Sequence, residues 1–434
     1  MTGHNGGSVS QIYTLSAACL LSQVCYESVA AHVPAGAPRL IADFLFNWTV
    51  PLVAMTIYAQ KLYLLAAILV ITLALTRLAG SENKAAKPAK NNGKRTKPTK
   101  SSAEPPAKVA YRGFVTLYRS QMMILTITAI LAVDFPIFPR SFSKTETWGT
   151  SLMDLGVGSF VFSMGIVTSR KAYKEAGIKL IDEVKQSIYQ TLKILALGII
   201  RLASVKMLDY QEHVSEYGVH WNFFFTIGLL PLAFTFFNRI PFPGGQMAKS
   251  FVLAFGYEIT LKNTELQHWA LWAARTSLLS QNKEGVVSFV GYLAIFSFGY
   301  SIGTQLMNPS AQFQQMIKTL VKWSSITQVL FLILRIETEP SRRIVNLPYI
   351  TWTVSYNAGC LAVMAALEYF LGVAPSSSLE AVNKHGELVF VLGNLSTGIV
   401  NMMVDTLDIK SIMSLAVLVA YQGFMAITAL YLNK

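Results

Sequence analysis

Charge is scarce in this chain: 14% of its 434 residues are Asp, Glu, Lys or Arg, where soluble domains carry about a quarter. That shortage excludes a water-soluble enzyme of this size. The 53% of residues that are apolar stand in stretch after stretch of about 20, the length a helix needs to cross a bilayer. Cysteine is scarce as well. Cys19, Cys25 and Cys360 lie inside apolar runs with no C-x-x-C spacing, which excludes a disulfide framework and a cysteine metal cage. There is no G-x-S-x-G, so a serine nucleophile elbow is excluded too. None of the six histidines is embedded in an apolar run. His4 and His32 lie near the ends of the first run, His213 and His385 are in or beside polar loops, and His268 is on an interfacial stretch. His220 stands beside Trp221 and Asn222 at the mouth of a run, where a headgroup contact is a commoner role than a base.

What is present in excess is positive charge, 36 Lys and Arg against 23 Asp and Glu, and most of the surplus sits in one tract, Arg77 to Arg112. With ten basic and two acidic residues among Pro, Ala, Ser and Asn, it reads as a disordered loop over residues 80–111. No aromatic residue between Ser81 and Lys108 offers a base something to stack on, so nucleic acid is not an expected partner. GKRTK within it fails as a phosphate loop, because the required G-x-x-x-x-G-K-[ST] is absent.

Twelve apolar runs are predicted to cross a membrane: 11–33, 40–58, 62–78, 113–133, 151–168, 187–204, 219–237, 286–304, 323–334, 349–371, 387–404 and 412–432. A thirteenth, 246–261, follows the break at Pro241 to Gly245 and contains Lys249 and Glu258, so other helices must share its burial. The stretch 265–280, with Trp269, Trp272 and Leu279 between charged edges, suits a helix lying at the interface. The expected fold is an all-α polytopic membrane protein with about 13 transmembrane helices, one multispanning domain over residues 1–434. Its first basic residue is Arg39, which predicts a lumenal N-terminus and no cleavable signal. The basic loop 80–111 and the run Arg170 to Lys185 then fall in the cytosol, as does the C-terminus, while residues 134–150 fall in the lumen. Arg342 and Arg343 break the charge rule, since they fall in a predicted lumenal loop.

Chemistry concentrates in that lumenal stretch, DFPIFPRSFSKTETWGT. Asp134 follows directly on an apolar run, a costly place for an acid unless it faces a wet cavity or a partner. Lys144 lies ten residues on, beyond Pro136 and Pro139, which fold the chain back. Phe135, Phe138 and Phe142 give the loop an apolar side to sink into the bilayer or to pack closely. On spacing alone, an interfacial ion pair is a commoner outcome than a catalytic pair. Asp154 stands on a helical stripe with Gly158, Val161 and Gly165, yet Ser151-x-x-Asp154 is also a capping-box pattern, the favoured reading. Ser159, Ser163, Gly165 and Ser169 suggest close helix packing. The sequons at Asn47 and Asn394 fall inside predicted spans, where no modification is expected.

The run DFPIFPRSFSKTETWGTSLMDLGVGSFVFSMGIV resembles the signature of the inositol acyltransferases of glycosylphosphatidylinositol (GPI) anchor synthesis. The likeness extends to GHNGGS at Gly3 to Ser8, to the apolar run bearing Asp43, and to the order of segments along nearly the whole chain. It implies a multispanning enzyme of the endoplasmic reticulum that moves a fatty acyl group, usually palmitoyl, from acyl-CoA to the inositol of glucosaminyl phosphatidylinositol. The implied partners are those two substrates and membrane lipids. No resident cofactor is implied, acyl-CoA being a co-substrate. The resemblance places the catalytic aspartate and lysine on Asp134 and Lys144. Where the family run reads FPRRFAK, this chain has Ser141 and Ser143.

Such chemistry suits these residue types. An inositol hydroxyl is a weak nucleophile that needs a base, for which Asp134 serves, and the thioester adduct needs a donor for its oxyanion. Lys144 can polarise the carbonyl or grip a phosphate. Arg140 is the candidate for substrate phosphate because its planar fork suits oxyanions, and Glu146, Asp154, Asn5 and Ser8 complete the substrate-binding candidates. For Asn5 and Ser8, a flexible glycine-rich terminus is an equal alternative. The competing function is a transporter or lipid-handling protein, although the single Pro-Gly break has no counterpart in a second half.

Overall fold

In lipid a segment must satisfy its own backbone donors and acceptors, so apolar runs of this length fold as helices. The computed structural model describes residues 6–84, 111–174, 178–207 and 214–433. The described residues are 77% helix and contain no strand beyond a single bridge between Gly6 and Thr150. Along the chain come α1 (Val9–Ala30), α2 (Ala37–Phe44), a π turn (Leu45–Thr49), α3 (Val50–Met55), α4 (Leu62–Lys84) and α5 (Gly113–Ala132). There follow α6 (Leu152–Thr168), α7 (Lys171–Lys174), α8 (Leu180–Met207), α9 (Phe223–Arg239), α10 (Gly245–Asn263), α11 (Leu266–Trp272) and α12 (Leu278–Gln281). The rest are α13 (Lys283–Leu306), α14 (Phe313–Glu337), α15 (Leu347–Leu371), α16 (Ser377–Lys384), α17 (Gly386–Met403) and α18 (Ser411–Leu432).

Every one of the thirteen apolar runs is helical. Among the described residues seven helical spans, α5, α6 continued through α7, α13, α14, α15, α17 and α18, are long and apolar enough to cross a membrane, and α4 and α9 carry shorter apolar stretches. The protein is a polytopic membrane protein. Large apolar side chains stand outward, among them Leu75, Ile336, Met403, Ile412 and Ile427, a surface that water would not tolerate and lipid requires. The second run is helical from Ala37 to Met55 with the π turn in its middle. Of the basic loop, residues 85–110 lie outside the described residues, and α4 continues into its head. The stretch 265–280 is not one interfacial helix. It breaks after Trp272, and α12 restarts under a capping box in which Ser277 and Ser280 exchange side-chain and backbone bonds.

The chain divides into two compact units. One comprises residues 1–9 and 140–366, and α13 is its most buried span. Small residues let α6 approach it backbone to backbone: a Cβ on Gly165 would stand 2.2 Å from the carbonyl oxygen of Phe296, and one on Gly299 2.2 Å from that of Phe162. Gly299→Ala should therefore lower stability by about 1–3 kcal/mol, the usual cost of overpacking. Thermal melting in detergent measures it, and an unchanged midpoint would show that the two helices can part at no cost. In the same unit Lys249 is spent on a helix end, its ammonium donating to the carbonyls of Phe237, Asn238 and Ile240 at 2.9–3.1 Å.

The other unit comprises residues 10–139 and 367–434. Here α5 is the buried span, with α16, α17 and α18 packed on it. Asp43, 2% exposed, anchors this unit's polar interior. Its carboxylate accepts from Asn47, from the hydroxyls of Ser376 and Ser378 and from the Ser378 amide, at 2.7–3.1 Å. Asn47 of the first sequon is thus buried in a hydrogen-bond cluster.

Candidate active site

The chain leaves α5 through stacked turns. Asp134 N donates to Leu131 O, Phe135 N to Ala132 O, and Phe138 N to Phe135 O, across the two prolines that forbid further helix. A single 3-10 turn, Arg140–Phe142, follows, and both the amide and the hydroxyl of Ser143 donate to Arg140 O. Phe135, Phe138 and Phe142 are at most 1% exposed. The apolar side of the stretch is therefore buried in protein, not sunk in lipid. The two units divide inside this stretch, after Pro139.

In the first unit the remainder of the stretch is stitched to the N-terminal end of α6. Ser151 caps the helix, its hydroxyl accepting from Asp154 N at 3.0 Å. The Asp154 carboxylate turns away to other partners. Oδ2 accepts from the amide and hydroxyl of Thr145, and Oδ1 from Arg342 Nε at 2.6 Å, with both ionic side chains at most 2% exposed. Tyr349 donates to Asp154 O, and the Arg342 guanidinium stands 5.7 Å from the centre of the Tyr217 ring. Arg343, the other rule-breaking arginine, pairs at 2.8 Å with Glu284, a fully buried carboxylate that Arg275 also binds. Lys144, 31% exposed, donates to Glu216 at 2.8 Å. From the opposite side Gly7 N donates to Thr150 O and Thr150 donates back to Gly7 O. Gly6 holds φ +77° there, with no room for a side chain.

Burial pushes the Glu216 carboxyl up, but the Lys144 ammonium and the Arg342 guanidinium outweigh it and hold it at about 2, against an ordinary 4.5. A carboxyl lowered by folding stabilises the fold fully above its ordinary value and loses that contribution as the pH falls through it. Glu216→Gln should melt below the parent near neutral pH, with the gap closing between about pH 4.5 and 2. A gap of constant size down to pH 2 would mean that the pairing does not stabilise the fold.

In the second unit Asp134 is half-buried just past the end of α5, and its Oδ2 accepts from Asn401 Nδ2 at 2.8 Å. Of the remaining candidates, Arg140 is half-buried at the head of the 3-10 turn, Glu146 and Ser8 are exposed, and Asn5 lies outside the described residues. Lys144 and Asp154 are drawn into one polar network of the first unit. Glu216, Arg342 and Asn401 were not legible as site residues. For Arg342 a signal existed, an arginine in a loop predicted to be lumenal against the charge rule, and the structure buries it in an ion pair. Glu216 and Asn401 had none, one being an ordinary loop carboxylate and the other an amide near a helix end.

Known proteins are similar to this chain over its whole length. A family model described as GWT1 matches residues 1–432. The GPI-anchored wall transfer protein 1 of Yarrowia lipolytica is 37% identical, across 100% of this chain and 96% of its own length. The proteins of the same name from Saccharomyces cerevisiae and Candida albicans are 35% and 37% identical, over 100% and 99% of this chain. The chain belongs to the GPI-anchored wall transfer protein family. Membership gives it a role in GPI-anchor biosynthesis, so the polar networks of both units stand in a protein whose pathway builds a glycolipid.

Proposed function

We propose that this member of the GPI-anchored wall transfer protein family is an O-acyltransferase of the endoplasmic reticulum membrane. It takes a fatty acyl group, palmitoyl in the usual case, from acyl-CoA and places it on an inositol hydroxyl of glucosaminyl phosphatidylinositol. Asp134 takes the hydroxyl proton as the oxygen attacks the thioester carbonyl carbon. The carbon–sulfur bond of the adduct then breaks, and the proton passes to the departing CoA sulfur. Lys144 stabilises the oxyanion or a substrate phosphate, and Arg140 binds phosphate. The observation that carries the reading is the contrast between the two partners. Asp134 accepts a hydrogen bond from the amide of Asn401, which orients the carboxylate, whereas Lys144 faces Glu216, a carboxylate that stays ionised down to about pH 2. Glu146, Asp154, Asn5 and Ser8 remain substrate-binding proposals of lower standing, and for Asp154 the partners already described give a structural role.

The reading includes thirteen crossings, a lumenal N-terminus and a cytosolic C-terminus, and bonds between helix ends support that parity. Glu183 at the start of α8 pairs with Arg239 at the end of α9, and Glu258 near the end of α10 accepts from Leu347 at the start of α15. Asp134 after α5 meets Asn401 at the end of α17, which requires an even number of crossings between them. The helices α6, α8, α9, α10, α13, α14, α15 and α17 supply it. Dropping α10 would put an aspartate and its amide on opposite sides of the bilayer.

Purified protein incubated with radiolabelled acyl-CoA and glucosaminyl phosphatidylinositol tests the reading. Label should enter the lipid. Label in neither lipid nor protein would favour a carrier.

A further inference from the structure

We propose that Asn401 is the positioning residue for Asp134, an inference that rests on Asp134 being the base. Asn401 lies in the last turn of α17 and Asp134 two residues past the end of α5, and these two helices pack together within one unit. The bond between them is short and specific, Nδ2 to Oδ2 at 2.8 Å. An ionised carboxylate only accepts, so the amide nitrogen must face it, which sets the amide's orientation without ambiguity.

The other end of the same side chain carries the argument further. Asn401 Oδ1 is buried and has no hydrogen-bond partner among the described residues. A buried acceptor left unpaired costs desolvation, and a leucine of the same branched shape would avoid that cost. A position chosen for packing would not hold an amide here. What the amide gains is one thing, a donor fixed on an oxygen of Asp134. Pinning one oxygen sets the plane of the carboxylate and hence the direction of all its lone pairs, the quantity a general base must control. Being neutral, it does so without the attraction a lysine or arginine would exert on the proton acceptor.

The test compares Asn401→Leu, Asn401→Gln and Asp134→Asn in the acyl-transfer assay, with melting midpoints in detergent. The leucine variant is expected to lose about 10- to 100-fold in kcat, with KM for either substrate within about twofold. Its midpoint should change little, because removal of an unpaired buried acceptor offsets loss of the bond to Asp134. Asn401→Gln, which keeps a donor on a longer stem, should recover most of the rate. A residue serving only the fold would show the reverse pattern, a lower midpoint with kcat intact in the folded fraction. If the leucine variant does not fold, Asn401→Ala takes its place with the same expectation for kcat. Full kcat in the leucine or alanine variant overturns the inference, as does a loss that glutamine leaves unrepaired. The two layers separate cleanly. Asp134→Asn retaining transfer defeats the base assignment itself, whereas an inactive Asp134→Asn beside a fully active Asn401→Leu defeats only the role of Asn401.

Discussion

Replacing Asp134 by asparagine is expected to reduce acyl transfer from acyl-CoA to glucosaminyl phosphatidylinositol by at least about 100-fold, the scale on which a general base contributes. The substitution is isosteric and the new amide can rotate its oxygen toward Asn401 Nδ2, which now sits 2.8 Å from the carboxylate, so the fold should survive. Rate and folding are thereby separated in one variant. Radiolabel entering the lipid reports the first and the melting midpoint in detergent reports the second. Asp134→Asn that transfers acyl groups at the parental rate would remove the base from the mechanism and leave the family's role in GPI-anchor biosynthesis without a named proton acceptor here.

The largest loss of stability is expected at Arg342. Its guanidinium and the Asp154 carboxylate are at most 2% exposed and 2.6 Å apart, so Arg342→Met leaves an uncompensated anion in the interior, a change worth about 3–5 kcal/mol. Neutralising the other partner as well should restore much of it. In Asp154→Asn combined with Arg342→Met the amide oxygen still accepts from the Thr145 amide and hydroxyl, while neither substituted position carries a charge to desolvate. Chemical unfolding in detergent of the parent, both single variants and the double variant gives the coupling directly. An Arg342→Met protein within about 1 kcal/mol of the parent would show that water reaches Asp154 and that the pair is not the anchor of this end of the unit.

The helical skeleton was legible because lipid leaves a chain little choice. A run of about 20 apolar residues must close its hydrogen bonds within itself, whatever surrounds it. That is why 246–261, despite Lys249 and Glu258, proved to be the continuous helix α10. Its two charges are both buried, one on the carbonyls ending α9 and the other on the start of α15. The stretch 265–280 was misjudged for the opposite reason. Short amphipathic segments carry no such compulsion, and local capping at Ser277 decided where helix stopped and restarted. The Ser151 cap was readable from spacing of three, since N-caps are local. The second half of the box was not, because Arg342, 188 positions away, had a stronger claim on the carboxylate.

Sequence alone therefore settled the class of molecule, the position of every long helix among the described residues and the family, since each depends on residues near one another in the chain or on a long contiguous motif. Only the tertiary structure decided who holds whom. Asn401 on Asp134, Glu216 on Lys144 and Arg342 on Asp154 are bonds between residues 72 to 267 positions apart. Hydrogen-bond and ion-pair geometry reaches about 3 Å, and no periodicity in a sequence reports which distant polar groups the folding of α5, α6 and α17 will bring within it.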